Sequence, residues 1–333
     1  MLLNNKYAIG CHVMFYEIEV VKEYINSLKC ALEQIENPEN VVIDLFWNLS
    51  EYFEECESLD KLEEIETTIT WITTSLKTFT RVNNIIYKDE KPYTVAFYRR
   101  DFNLKYCQDV DFLIWGESDC LLPKETFNAL EVLKDYTNKN NIHRYITTFA
   151  VRKMWDESWK ILEHEKFTDK PYYDMDTEED IKLAISSPWS IRYTMSQEEM
   201  EQINNQTDEY DIRMIEYPKF DGSCLIISSD LILSGVNIPP GVYINGDDTS
   251  FMTMCMRILG NNYKQFVIKN ILKVHNRNHP KKRLYVKGED SDKMTHFKRK
   301  DKNWYQKFNI ISKGNLNILF DSQQRFKRID ELK

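Results

Sequence analysis

The stretch that most constrains the fold is Asp109 to Pro123, DVDFLIWGESDCLLP. Phe112, Leu113, Ile114 and Trp115 form an apolar run without alternation, the pattern of a strand buried on both faces in a helix-covered parallel sheet. Gly116 ends the run. Glu117, Ser118 and Asp119 then place two carboxylates at a strand's carboxyl end, where open α/β sheets hold their ligands. Two hard oxygen ligands there suit Mg²⁺ or Mn²⁺ better than zinc, and a bound diphosphate would supply further oxygens. The literal Asp-x-Asp of Asp109 and Asp111 precedes the run and so lies at the wrong end of the strand. Taken alone, Glu117 and Asp119 are equally well read as a polar turn capping a helix that begins near Pro123, so the rest of the chain has to decide.

Tyr7 to Phe15 reads as a first strand, and the following EIEVVKEYINSLKCALEQI carries apolar residues at helical spacing. Asn37, Pro38 and Asn40 break that helix. Val41 to Trp47 is a second buried strand, giving a strand–helix–strand unit with a right-handed crossover. Ser50 to Thr80 is acidic, with Leu59, Leu62, Ile65, Ile69 and Ile72 as one helical stripe. Thr94 to Phe97, Ile142 to Val151 and Phe220 to Ser229 read as further strands, and a last one ends at Val274-His275. Residues 152–215 are mostly polar and acidic and read as an insertion. Trp155 and Trp159 within it can stack on a sugar or a base, or simply pack. Gly246, Asp247 and Asp248 lead a helix with Phe251, Met254, Cys255 and Ile258 on one side. Such a pair of acids is also a plain N-terminal cap.

Glycine and proline number only 9 each, which disfavours long disordered linkers. The seven cysteines are scattered without a CxxC pair, against a disulfide framework or zinc site and in keeping with a reducing cytoplasm. The first residues lack the pattern of a signal peptide, and no apolar run approaches the roughly 20 residues of a spanning helix. The expected location is therefore cytoplasmic, the host cytoplasm if the chain is viral. The formal charge of −9 is unevenly placed, for residues from 260 onward carry about 19 basic against 7 acidic side chains. Lys281, Lys282 and Arg283 open this basic stretch, and Tyr285, Phe297, Trp304, Tyr305 and Phe308 are interleaved with it. A basic, aromatic surface of this kind attracts a polyanion and offers rings for stacking on bases.

The Glu-Ser-Asp turn, the Leu-Leu-Pro after it and the order of the later acidic and histidine segments resemble the GT-A fold glycosyltransferases of the family 2 type, with Glu117 to Asp119 in place of the DxD motif. The resemblance implies a Rossmann-like mixed α/β sheet flanked by helices over residues 1–279, followed by a basic extension over 280–333. It implies a nucleotide-sugar donor, UDP-linked in our reading, with Mn²⁺ or Mg²⁺ held by Glu117, Asp119 and His275. His279 competes for the third ligand position. By position, Gly10, Cys11, His12 and Asn48 would meet the nucleotide base, Arg100 and Asn103 the diphosphate, and Ser118 the donor. Asp248 would be the general base of an inverting hexosyl or pentosyl transfer, with Asp247, the two tryptophans, Lys281, Lys282 and Arg283 on the acceptor side. The basic extension favours a polyanionic acceptor. Its sharpest form is a hydroxymethylated base in bacteriophage DNA, which enzymes of this resemblance glycosylate. A surface or lipid-linked glycan is the rival acceptor, and a non-catalytic nucleic-acid-binding protein is the alternative from another class.

Overall fold

The computed structural model of the chain describes residues 1–333 apart from 57, 92, 155, 172–177, 179–193, 206–208, 220, 245, 277, 278, 280, 282–284, 286–302 and 321–333. Its frame is an eight-stranded mixed sheet in the order β3-β2-β1-β4-β8-β6-β9-β7. The strands are β1 (Tyr7–Met14), β2 (Val41–Asn48), β3 (Arg81–Tyr87), β4 (Phe112–Glu117), β6 (Tyr145–Ala150), β7 (Ile212–Ile215), β8 (Leu225–Ser228) and β9 (Lys264–Leu272). A second sheet of two short strands pairs β5 (Cys120–Leu121) with β10 (Val274–His275). The expected mixed α/β sheet flanked by helices is thus present.

Period-two alternation divides the core between the two faces of the sheet. Tyr7, Ile9, Cys11, Phe112 and Ile114 pack with the helices Ile18–Leu32, Leu59–Lys77 and Thr126–Lys139. Ala8, Leu113 and Trp115 face the other way, onto the helices Val95–Tyr106 and Asp247–Leu259. Each large apolar side chain so buried contributes about 1.5–3 kcal/mol, which is why the central strands need no polar face.

Strand direction decides where the chemistry collects. β1, β2, β3 and β4 are parallel, and β8 runs against both β4 and β6. β6 and β9 are parallel to each other and therefore run with β4. The ends of β4 and β9 and the start of β8 consequently lie at one edge of the sheet. Glu117, His275 and the turn before Leu225 are all delivered there.

Several elements differ from the sequence expectations. Thr94 to Phe97 is no strand: Thr94 caps the Val95–Tyr106 helix, its Oγ1 accepting from the Phe97 amide at 3.5 Å. β3 and β7, the two edges of the sheet, were not expected; β3 has mostly partly exposed residues and β7 lies in the polar region read as an insertion. The strand expected from Phe220 begins only at Leu225; Phe220 lies outside the described residues, and a turn at residues 223 and 224 precedes β8. The last expected strand is two, β9 and β10, with Lys273 between them.

Candidate active site at the carboxyl edge of the sheet

The first cluster is made by the pairing of β5 with β10, which sets His275 opposite Cys120. This register brings the His275 Nε2 to 3.2 Å from Glu117 Oε2 and 3.4 Å from Asp119 Oδ1. Ligand atoms from Glu117, Asp119 and His275 lie within 4.8 Å of one another, and this is the metal-capable group found among the described residues. Two carboxylates and an imidazole form a donor set that fits Mn²⁺ or Mg²⁺. Burial by itself disfavours charge on His275, but Asp119 and Glu117 outweigh it, and its pKa lies above the ordinary imidazole value.

The second cluster is organised by Arg99, on the Val95–Tyr106 helix. Its Nη1 donates to Asp247 Oδ2 at 2.6 Å, while its Nη2 donates to Glu117 Oε1 and, at 3.1 Å, to the Gly222 carbonyl. The guanidinium also lies over the Trp115 ring, 4.8 Å from its centroid. Burial opposes the charge, yet Asp247 and Glu117 together hold the Arg99 pKa above its usual value. Arginine suits this position because its planar fork reaches two carboxylates at once.

Asp247 and Asp248 open the Asp247–Leu259 helix, as expected. Asp247 is the partner of Arg99, whereas Asp248 Oδ1 accepts from the Thr249 amide at 2.7 Å. Burial and the neighbouring Asp247 charge push the Asp248 carboxyl up to about 6, with Arg99 pulling in the opposite direction. Gly222 closes on this acid: a Cβ there would stand 3.0 Å from Asp248 Cβ and 3.3 Å from Arg99 Nη1. Glycine is what allows the turn to approach so near.

Beneath that turn, the fully buried Lys273 forms an ion pair with Asp221 at 2.9 Å and donates to the Ser223 carbonyl. Burial would raise the Asp221 pKa, but Lys273 and His275 more than reverse this and hold it at about 2. Arg99 and Lys273 thus grip consecutive carbonyls, those of Gly222 and Ser223, from two different elements. Five carboxylates, of Glu117, Asp119, Asp221, Asp247 and Asp248, face these two permanent cations. With the carboxylates ionised, their charge outweighs that of Arg99 and Lys273 even when His275 carries its proton, so the local charge is negative, as a cation site requires.

The other sequence candidates fall in three groups. His12 and Asn48, at the ends of β1 and β2, meet: Asn48 Nδ2 is 3.2 Å from His12 Nε2 and donates to the Tyr93 carbonyl at 2.6 Å. Ser118 is buried between the two acids. A second group is enclosed by the fold or bonded within it. Cys11 is enclosed in the core, and a Cβ on Gly10 would come within 2.7 Å of the Phe102 ring, so both residues pack closely against the fold. Asn103 is also fully buried, accepting from Trp115 Nε1 at 2.9 Å and donating to Asn237. Arg100 lies over the Phe97 ring and reaches toward the Pro239 carbonyl; its neighbour Arg99 is the one that joins the acids. The third group makes other contacts or lies outside the described residues. Trp159 packs near Val151 and Met154 under the Lys219 ammonium, and Lys281 pairs with Glu23 on the Ile18–Leu32 helix, as does His279. Trp155, Lys282 and Arg283 lie outside the described residues.

Sequence reasoning preferred Arg100 to Arg99 and missed Asp221 and Lys273. The lysine had a signal: a charged residue inside the apolar run FVIKNILKV needs a buried partner.

No protein-family model and no curated protein matches the sequence. Among solved structures, the chain is similar to a mycobacterial protein at 9% identity, with 82% of this chain and 68% of that one covered and a TM-score of 0.41. It is also similar to a UDP-glucose pyrophosphorylase complexed with UDP-glucose, at 10% identity, 79% and 90% coverage and a TM-score of 0.35. Neither likeness is close enough to carry a role to any residue here.

Proposed function

We propose that the chain is a metal-dependent glycosyltransferase that moves a sugar from a nucleotide sugar to an acceptor hydroxyl with inversion. The observation that carries the reading is the meeting of Glu117, Asp119 and His275 beside the Asp247–Asp248 pair, with Arg99 bonded to both groups. A divalent ion held by the first three residues would neutralise the charge developing on the leaving diphosphate. Asp248 takes the proton of the acceptor hydroxyl as the acceptor oxygen bonds to the anomeric carbon. The bond from that carbon to the diphosphate oxygen breaks, and its electron pair leaves with the diphosphate. A carboxyl held near 6 by burial is ionised at neutral pH and still basic enough for this step. Asp247, paired with Arg99, is held in place rather than used as the base. His12 and Asn48, at neighbouring strand ends, would receive the nucleotide base.

The basic, aromatic sequence from 260 onward supports a polyanionic acceptor, a hydroxymethylated base in DNA being the form we favour. Asp119→Ala tests the transfer: it should abolish metal-dependent turnover while the protein stays folded, and wild-type turnover by this variant would sink the assignment. DNA binding that weakens steeply with salt would support the acceptor, whereas recovery on anionic vesicles and not on DNA would replace it with a lipid-linked glycan.

A further inference from the structure

In the sequence the C-terminal extension stands out by charge and aromatic content, yet its described helix, Asn303–Phe320, packs on the loop that leads into Asp247 and Asp248. Asn315 Nδ2 donates to the Gly241 carbonyl at 2.8 Å, and Ser312 Oγ accepts from the Tyr243 amide at 3.2 Å. The Phe308 ring stacks on Tyr243, centroids 4.9 Å apart, and meets Phe97 edge-on at 6.5 Å. Leu316 lies against Gly246, where a Cβ would stand 2.8 Å from Leu316 Cδ1. Gly246 takes a φ of 80° as it turns into the helix of the two acids, a conformation that glycine adopts at little cost. Residues 308, 312, 315 and 316 lie along one face of the helix, and Ile310, on another side, is 71% exposed. On its far side the same loop is held by Thr94, whose Oγ1 donates to the Tyr243 carbonyl. Thr94 is the cap of the Arg99 helix. The loop is therefore gripped between the C-terminal helix and the element that carries Arg99.

We infer that the Asn303–Phe320 helix is a clamp that positions the acceptor-side carboxylates, with Ser312, Asn315 and Leu316 as positioning residues acting through the Gly241–Gly246 loop. Two of the described backbone groups of this loop, the Gly241 carbonyl and the Tyr243 amide, have helix side chains as their partners. Releasing it would let Asp247 drift from Arg99 and Asp248 from its place against Gly222. The metal cluster lies on other elements and would stay as it is. The kinetic half of this inference rests on the transferase reading; the structural half does not.

The test uses the full chain with Ser312→Ala/Asn315→Ala and, separately, Leu316→Ala. Three quantities are measured: amide hydrogen exchange, kcat and donor KM, and Mn²⁺-dependent nucleotide affinity. We expect exchange over residues 241–250 to quicken and kcat to fall, each by about tenfold or more, since small misplacements of a reacting group are costly. Donor KM and nucleotide affinity should stay within about twofold, because the donor site is untouched. Unchanged loop exchange in both variants, or faster exchange spread evenly over the whole sheet, would overturn the clamp. If wild-type protein binds no nucleotide with metal, the transferase reading fails, and loop exchange alone still decides whether the helix holds the loop.

Discussion

Arg99 donates to Glu117 and to Asp247, so one buried guanidinium ties the acid that ends β4 to the acid that opens the Asp247–Leu259 helix. The two acidic motifs are far apart in the chain and are joined by this side chain and the turn at Gly222. Their spacing, and hence the separation of metal from base in the proposed reaction, is set by it.

Arg99→Met leaves Glu117, Asp247 and the Gly222 carbonyl without their shared donor. Breaking a buried ion pair from one side costs about 3–5 kcal/mol, so a clear loss of stability is expected in urea unfolding. Arg99→Lys keeps the charge but lacks the fork. It should fold, with activity lowered by about tenfold or more, because one ammonium cannot hold two carboxylates in a fixed geometry. Full activity with lysine would show that charge alone suffices.

The Asp248 carboxyl, pushed up to about 6 by burial and by Asp247, has to be ionised to act as a base. Activity should therefore fall as pH drops through about 6 and level off above it. Asp248→Asn removes the base and should lower kcat by about 10²–10⁴-fold, with the residual rate no longer showing that acidic limb. An unchanged limb in the asparagine variant would assign it to another group.

Lys273 and Asp221 make a prediction about acid stability. The Asp221 pKa is held at about 2 in the folded protein, below the roughly 3.9 of an unfolded chain. The pair's contribution is thus complete above the unfolded value and is lost as pH falls toward 2. Lys273→Met leaves a buried carboxylate without its cation and costs about 3–5 kcal/mol at neutral pH, a deficit that narrows as pH falls and the carboxyl takes up its proton. Unfolding followed by circular dichroism against pH reads both effects.

How far the sequence reveals this site depends on the range of the interaction concerned. β4 and its acidic turn are legible because an unbroken apolar run followed by glycine and acids is a local pattern. The order of later parts points to Asp248 and His275 in the same way. What brings His275 to Glu117 is a long-range pairing, β5 with β10, together with the shared direction of β4 and β9. Arg99 shows the opposite case. Reading Thr94 to Phe97 as a strand put its neighbours on the wrong faces, and on a helix adjacent residues such as Arg99 and Arg100 diverge by about 100°. The burial of Gly10 and Asn103 is not legible for a related reason, since it depends on which helix crosses β1 and β4. Asp221 sits in a turn whose role appears only when Lys273 comes up beneath it.

The central claim is that Glu117, Asp119 and His275 hold a metal for a nucleotide diphosphate. The most direct test is calorimetric titration of the protein with UDP and with GDP, each with and without Mn²⁺, and the same for Asp119→Ala. We predict that one nucleotide, UDP in our reading, binds tightly only with the metal, and that the alanine variant loses this dependence. No metal-dependent binding of either nucleotide to the wild-type protein would contradict the account and return the acids to the role of turn and helix caps.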